Sequence, residues 1–188
     1  VSSKVENNIL RTYVINDDFE SHSGELSVKI LDFEGNPLYQ FSKSIILESN
    51  ASQLQHQVNL EAFKLDASKV VVVSNFNNSQ SLYYLVKPKA LKLKQGDIEQ
   101  KITKTDIGFS IELSSKTLQK DVFLYSDEKG HFLDNYFDLL PNETKIVVFQ
   151  TKRYKMVGVF YSIHKPATTS NHSLIDDFFI WFVKTNFS

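Results

Sequence analysis

The chain has 188 residues, a formal net charge of −1 and no cysteine. That excludes a disulfide framework and a thiolate metal site, and it supplies no field that would gather nucleic acid or anionic lipid. No apolar run approaches the roughly 20 residues that cross a bilayer, so neither a nucleic acid nor a membrane is expected as a partner.

Aromatic residues make up 13% of the chain, with 15 Phe and 8 Tyr against one Trp, a bias that suits the pleated surface of strands. In chain order, Ile9–Ile15 reads as a strand that ends at Asn16-Asp17-Asp18. Leu26, Val28 and Ile30 alternate with Ser27 and Lys29, the period of a half-buried strand. Gly35-Asn36-Pro37 turns into Leu38–Leu47. Leu54, Val58 and Leu60 are expected to share a face of the next run. Val70–Val73 is continuously β-branched and reads as a central strand. Asn75–Ser81 reads as a polar turn, and Leu82–Val86 closes the set. Short strands at this spacing, separated by turn residues, predict a β-sandwich over residues 1–86.

Residues 87–94 carry Pro88 and Lys87, Lys89, Lys92 and Lys94 and read as an ordered linker, with Lys87 held extended by the following proline. Leu91 and Leu93 are expected to pin it to a neighbouring sheet. A second sandwich is expected over 95–163. Its strands are Asp97–Lys104, the alternating Phe109, Ile111 and Leu113, then Val122–Tyr125, Asn135–Asp138, Lys145–Gln150 and Met156–Ile163. Between the last strands, Pro141-Asn142 is a turn, because Pro presets φ and Asn tolerates the left-handed region. Residues 164–188 form an aromatic tail, irregular or helical; Leu174–Lys184 is read as a short helix capped by Ser173, with Asp176 and Asp177 in its first turn. The fold class is therefore all-β: two consecutive immunoglobulin-like sandwiches with a short irregular or helical C-terminal tail.

Two segments carry a resemblance. Gly130-His131-Phe132-Leu133-Asp134-Asn135-Tyr136-Phe137-Asp138-Leu139-Leu140-Pro141 resembles the C-terminal immunoglobulin-like domain of the β-mannosidases of glycoside hydrolase family 2. Tyr83-Tyr84-Leu85-Val86-Lys87-Pro88-Lys89-Ala90-Leu91-Lys92-Leu93 is similar to the junction between the last two domains of those enzymes. The resemblance covers roughly residues 1–152 and does not reach the tail. It implies that the whole enzyme removes terminal β-linked mannose with retention, and that this chain is the non-catalytic accessory portion. It implies as partners an N-terminal catalytic barrel of the same polypeptide and a mannose-containing oligosaccharide. The start Val1-Ser2-Ser3, with no Met and no export signal, fits a piece of a longer protein. The compartment stays open, with the periplasm or the exterior of a bacterial cell as the settings considered.

No catalytic residue, cofactor site or metal site is assigned. Retaining glycosidases need two carboxyl groups about 5–5.5 Å apart. The Asn142-Glu143 pair superficially matches the family's acid/base motif, but it follows Leu139-Leu140-Pro141 and reads as a solvated turn. No βα alternation builds a barrel of roughly 250 residues. His22, His56, His131, His164 and His172 lack the paired spacing of a zinc site; His56, in step with Leu54 and Val58, is read as pointing inward and hydrogen-bonded. The sequons at Asn50, Asn77, Asn142, Asn171 and Asn186 are what an Asn- and Ser-rich chain makes by chance. Trp181 and Tyr136 are the candidates for stacking on sugar, with Tyr83 and Tyr84 behind them. The competing reading makes them core aromatics, with Tyr136 placing its ring inside and its hydroxyl on backbone as in a tyrosine corner. A carbohydrate-binding module and a protein-binding sandwich are the alternative functions.

Overall fold

The computed structural model describes residues 1–94, 96–126, 128–152, 160–164 and 178–181, the last two segments as backbone strands. The chain forms two compact units, Val1–Lys92 and Leu93–Ser188.

In the first unit, β1 (Ser2–Glu6), β2 (Ile9–Asn16) and β5 (Ala51–Asn59) form one antiparallel sheet in the order β1-β2-β5. The strands β4 (Pro37–Leu47), β3 (His22–Asp32), β6 (Val70–Phe76) and β7 (Ser79–Tyr84) form the other, in that order. Strand β1 was not anticipated from the sequence. Its turn explains it: Asn7 and Asn8 both take positive φ, 52° and 60°, and they close a two-residue hairpin between Glu6 and Ile9, the type I′ geometry that follows strand twist. The polar stretch after β6 is likewise a tight hairpin, since β6 runs to Phe76 and β7 starts at Ser79.

The core lies between these sheets. Leu10 and Val14 from β2 meet Leu26, Val28 and Ile30 from β3, Ile45 and Leu47 from β4, and Val70, Val72 and Phe76 from β6. As its β-branched run indicated, β6 lies inside its sheet, between β3 and β7. Three hydroxyls join the sheets inside the core. Ser3 Oγ is 2.9 Å from both Thr12 Oγ1 and Ser74 Oγ, so each buried hydroxyl finds a partner. Leu54 does not share the face of Val58. The register of β2 and β5 shifts between Thr12 and Tyr13, which pair with His56 and Leu54; Gln55 is thus an extra residue, and a bulge reverses the face beyond it. Leu54 is 45% exposed as a result.

The second unit has the same architecture. One sheet runs β11 (His131–Phe132), β13 (Thr144–Gln150), β9 (Gly108–Ser115) and β8 (Ile98–Thr105); the other runs β12 (Phe137–Leu139), β10 (Gln119–Tyr125), β14 (Phe160–His164) and β15 (Phe178–Trp181). Its core unites Ile98, Phe109, Ile111, Leu113, Val122, Leu124, Leu139, Val147 and Phe149. Gly108 begins β9 at φ 143°, where a Cβ would stand 2.1 Å from the Phe149 carbonyl, so no other residue fits there without backbone movement. The turn before β13 is as expected: Pro141 precedes Asn142 at φ 62°, and the Glu143 N–H donates to Leu140 O at 3.3 Å.

Two sequence readings change here. The stretch expected to be a strand from Asn135 to Asp138 is shorter and later, Phe137–Leu139. The helix expected over Leu174–Lys184 is not present where the structure describes it, because Phe178–Trp181 is a strand paired antiparallel with β14. A Phe-Phe-Ile-Trp run of aromatic and β-branched side chains favours the pleated surface, and an open sheet edge outweighs a local capping signal. The rest of that helix reading, and residues 156–159 of the strand expected before it, lie outside the described residues.

Candidate functional site

Of the candidate aromatics whose side chains are described, Tyr136 is the exposed one, and the chain around it explains why. Asn135 does the work of a strand. Its Oδ1 accepts from the Leu124 N–H at 2.7 Å and its Nδ2 donates to the Leu124 carbonyl at 2.9 Å. One side-chain amide thus occupies the pairing position on β10 beyond the point where Val122 pairs with Phe137. The same Oδ1 accepts from the Tyr136 N–H at 3.0 Å. With its neighbour committed this way, Tyr136 sits at φ 59°, a left-handed conformation unusual for a bulky residue.

That conformation turns the ring outward, against the tyrosine-corner reading. Tyr136 is 72% exposed and stacks on Phe123, with centroids 4.8 Å apart and planes at 30°. The Asp138 carboxylate fixes the bulge of β10 beside it, accepting from the Asp121 N–H at 2.8 Å and lying 3.5 Å from Lys120 Nζ. Burial opposes the Lys120 charge, but Asp121 and Asp138 outweigh it and hold its pKa above the ordinary lysine value. On the other side Lys145 reaches Asp134 at 2.6 Å and lies 4.9 Å over the Phe137 ring. The residues next to the stacked pair along β10 and the loop before β12 are therefore charged and amide groups.

The Trp181 side chain lies outside the described residues. In register the residue stands opposite Tyr161, which stands opposite Leu124, whereas Tyr136 stacks on Phe123. Tyr83 packs against the first core, and Tyr84 is half-buried. Sequence reasoning missed Phe123 as the partner ring. The available signal was that Phe123 and Tyr125 alternate with Val122 and Leu124, giving β10 an aromatic outer face as well as an apolar inner one.

The other candidates stay apart. Glu143 is exposed in its turn. His22 pairs with Asp18 on the surface at 3.2 Å, and His131 is exposed. His56 points inward, as expected: it is 6% exposed with Nε2 2.7 Å from the Tyr39 hydroxyl, and burial lowers its pKa. The side chains of His164 and His172 lie outside the described residues, as do Asn171 and Asn186; Asn50, Asn77 and Asn142 are exposed. Among the described residues no group of three or more His, Asp or Glu could hold a metal. An open groove of about 910 Å³ passes Asp106, Ile107, Lys129, His131 and Gln150. Asp106 is the one carboxylate on its described wall, which is not the paired-carboxyl geometry of glycoside hydrolysis. The linker is fastened to the first unit: Leu91 is buried, the Lys92 N–H donates to Ser68 O at 2.8 Å, and Lys92 Nζ is 3.3 Å from Asp66.

Comparison with known proteins follows this division. The family model of the mannosidase Ig/CBM-like domain matches residues 8–90, and that of the mannosidase Ig-fold domain matches residues 93–159. The chain carries the paired immunoglobulin-like domains of the mannosidases. No curated protein matches this mannosidase pair by sequence. Among solved structures it is similar to the β-D-mannosidase of Dictyoglomus thermophilum, with a TM-score of 0.70 and 19% identity, over 81% of this chain and 19% of that one. It is similar also to the exo-chitosanase CsxA of Amycolatopsis orientalis, with a TM-score of 0.54 and 15% identity, over 84% of this chain and 24% of that one. At these identities the likeness is one of fold, and the mannosidase pair spans about a quarter or less of either protein's length.

Proposed function

We propose that this mannosidase pair is the non-catalytic accessory portion of a β-mannosidase-like hydrolase of family 2, which releases terminal β-linked mannose with retention. The observation that carries this reading is order: the two mannosidase domain families follow one another at residues 8–90 and 93–159. The architecture supports the division of labour. Both units are antiparallel sandwiches, whereas family 2 chemistry takes place at the end of a (β/α)8 barrel, whose parallel strands deliver catalytic groups to one face. On this reading the barrel is another part of the same polypeptide, and the pair braces it.

The test is hydrolysis of an aryl β-mannoside by the 188-residue chain, beside Glu143→Gln. The reading predicts a folded protein with no turnover in either form. Turnover by the chain that vanishes in Glu143→Gln would contradict it.

A further inference from the structure

We propose that the exposed face of the Tyr136 ring is a stacking platform for a pyranoside, with the Asp121 carboxylate accepting from the sugar's hydroxyls. The reading above enters only in the choice of a β-linked mannoside as the first sugar to try.

The geometry supports this in three ways. One face of Tyr136 is taken up by Phe123 at 4.8 Å, yet the residue is 72% exposed, so its other face meets solvent. A pyranose presents a face of C–H groups with small positive charge, which suits the negative face of an aromatic ring. The ring is also held in place before any ligand arrives. Its backbone is in the left-handed region at φ 59°, and Asn135 ties the preceding residue to Leu124 at both of its amide atoms. Strain of this kind in a bulky residue persists where surrounding structure over-determines it, and it concentrates at binding sites; a fixed ring loses little freedom on binding.

The surroundings select a sugar over a protein face. A protein-binding patch is a broad apolar area. Here Asp121, paired with Lys120, precedes the stacked Phe123 by two residues along β10, and Asn135 and Asp134, the latter paired with Lys145, directly precede Tyr136 in the chain. The exposed aromatics on this part of the second unit, Tyr136 and Tyr125 of the outer face of β10, make a narrow strip with charged and amide residues next to it in the chain. Asp121 stands exposed, two residues from Phe123 along β10, where its acceptors can meet ring hydroxyls.

The test is a titration of the 188-residue chain with mannobiose and, separately, cellobiose, following backbone amide shifts. The proposal predicts saturable shifts at Phe123 and Tyr136 with at least one of the two sugars. It predicts affinity about fivefold weaker in Tyr136→Asn, since stacking of this kind is worth about 1 kcal/mol, and little change in Tyr136→Phe. Asn suits the left-handed backbone, so this variant removes the ring without straining the loop. Saturation by cellobiose alone would support the platform while contradicting the mannoside reading. Absence of saturable shifts at these residues with either sugar, or equal binding by Tyr136→Asn, would overturn the platform.

Discussion

At Tyr136 two terms of similar size oppose each other. Holding a non-glycine residue in the left-handed region costs about 1–2 kcal/mol, and the stack on Phe123 returns about 0.5–1.5 kcal/mol. Tyr136→Ala keeps the backbone cost and loses the stack, so it should destabilise the second unit by about 1 kcal/mol. Tyr136→Asn loses the stack and relieves the backbone, so the change should stay within about 1 kcal/mol of zero. Asn135→Ala is a harsher change despite the smaller side chain. It strips both partners from Leu124, and two unsatisfied backbone groups should cost about 2 kcal/mol or more. Urea unfolding followed on second-unit resonances orders the three; an Asn135→Ala no worse than Tyr136→Ala would contradict the strand-mimic account.

At the scale of elements, His56 couples the two sheets of the first unit, because it lies on β5 and meets Tyr39 of β4. Phe41 lies 4.1 Å from the same imidazole. Burial lowers the His56 pKa from the ordinary histidine value of 6.5, so below that pH the unfolded chain binds the proton that the folded chain refuses. The histidine's contribution is therefore complete above pH 6.5 and is lost as pH falls through the folded pKa. Unfolding of the first unit measured from pH 7 to pH 5 should show falling stability, with a slope no steeper than about 1.4 kcal/mol per pH unit for one proton. The double variant His56→Phe with Tyr39→Phe removes the ionisable ring and leaves no hydroxyl unpaired, and it should flatten that slope. In the second unit, Gly108→Ala should cost about 2 kcal/mol or more, combining left-handed strain with a clash on the Phe149 carbonyl.

These elements also show what could be read before the structure. Alternation in β3 and β9, the β-branched run of β6 and the Pro141-Asn142 turn are local patterns, and each led to the right element. The bulge at Gln55 is not local: it depends on how β5 meets β2, so the sequence alone put Leu54 on the wrong face. Asn135 acts through its side chain on a strand eleven residues away, and nothing in its own neighbourhood announces that it shortens β12. Tyr136 was legible as a candidate because of its residue type, but its exposure follows from Asn135 and Phe123 together. The strand at Phe178–Trp181 exists by pairing with β14, which outweighed the capping signal at Ser173.

At the scale of the molecule, each unit has its own two sheets and its own core, so each contains what a domain needs to fold. Residues 1–92 expressed alone should unfold in one cooperative transition, checked by coincident circular dichroism and fluorescence curves. The segment after β7 is the sensitive point for that truncation, since Lys92 bonds Ser68 and Asp66, and a boundary drawn at Val86 should give a less stable domain. The proposal that the pair serves a larger enzyme rests on the tandem of mannosidase domain families. The most direct measurement is hydrolysis of an aryl β-mannoside by the complete gene product and by the 188-residue chain, at equal molar concentration. The account predicts turnover by a product that includes a catalytic barrel, and none by the folded chain alone. Turnover by the chain itself, or a barrel-containing product inert toward β-mannosides, would contradict it.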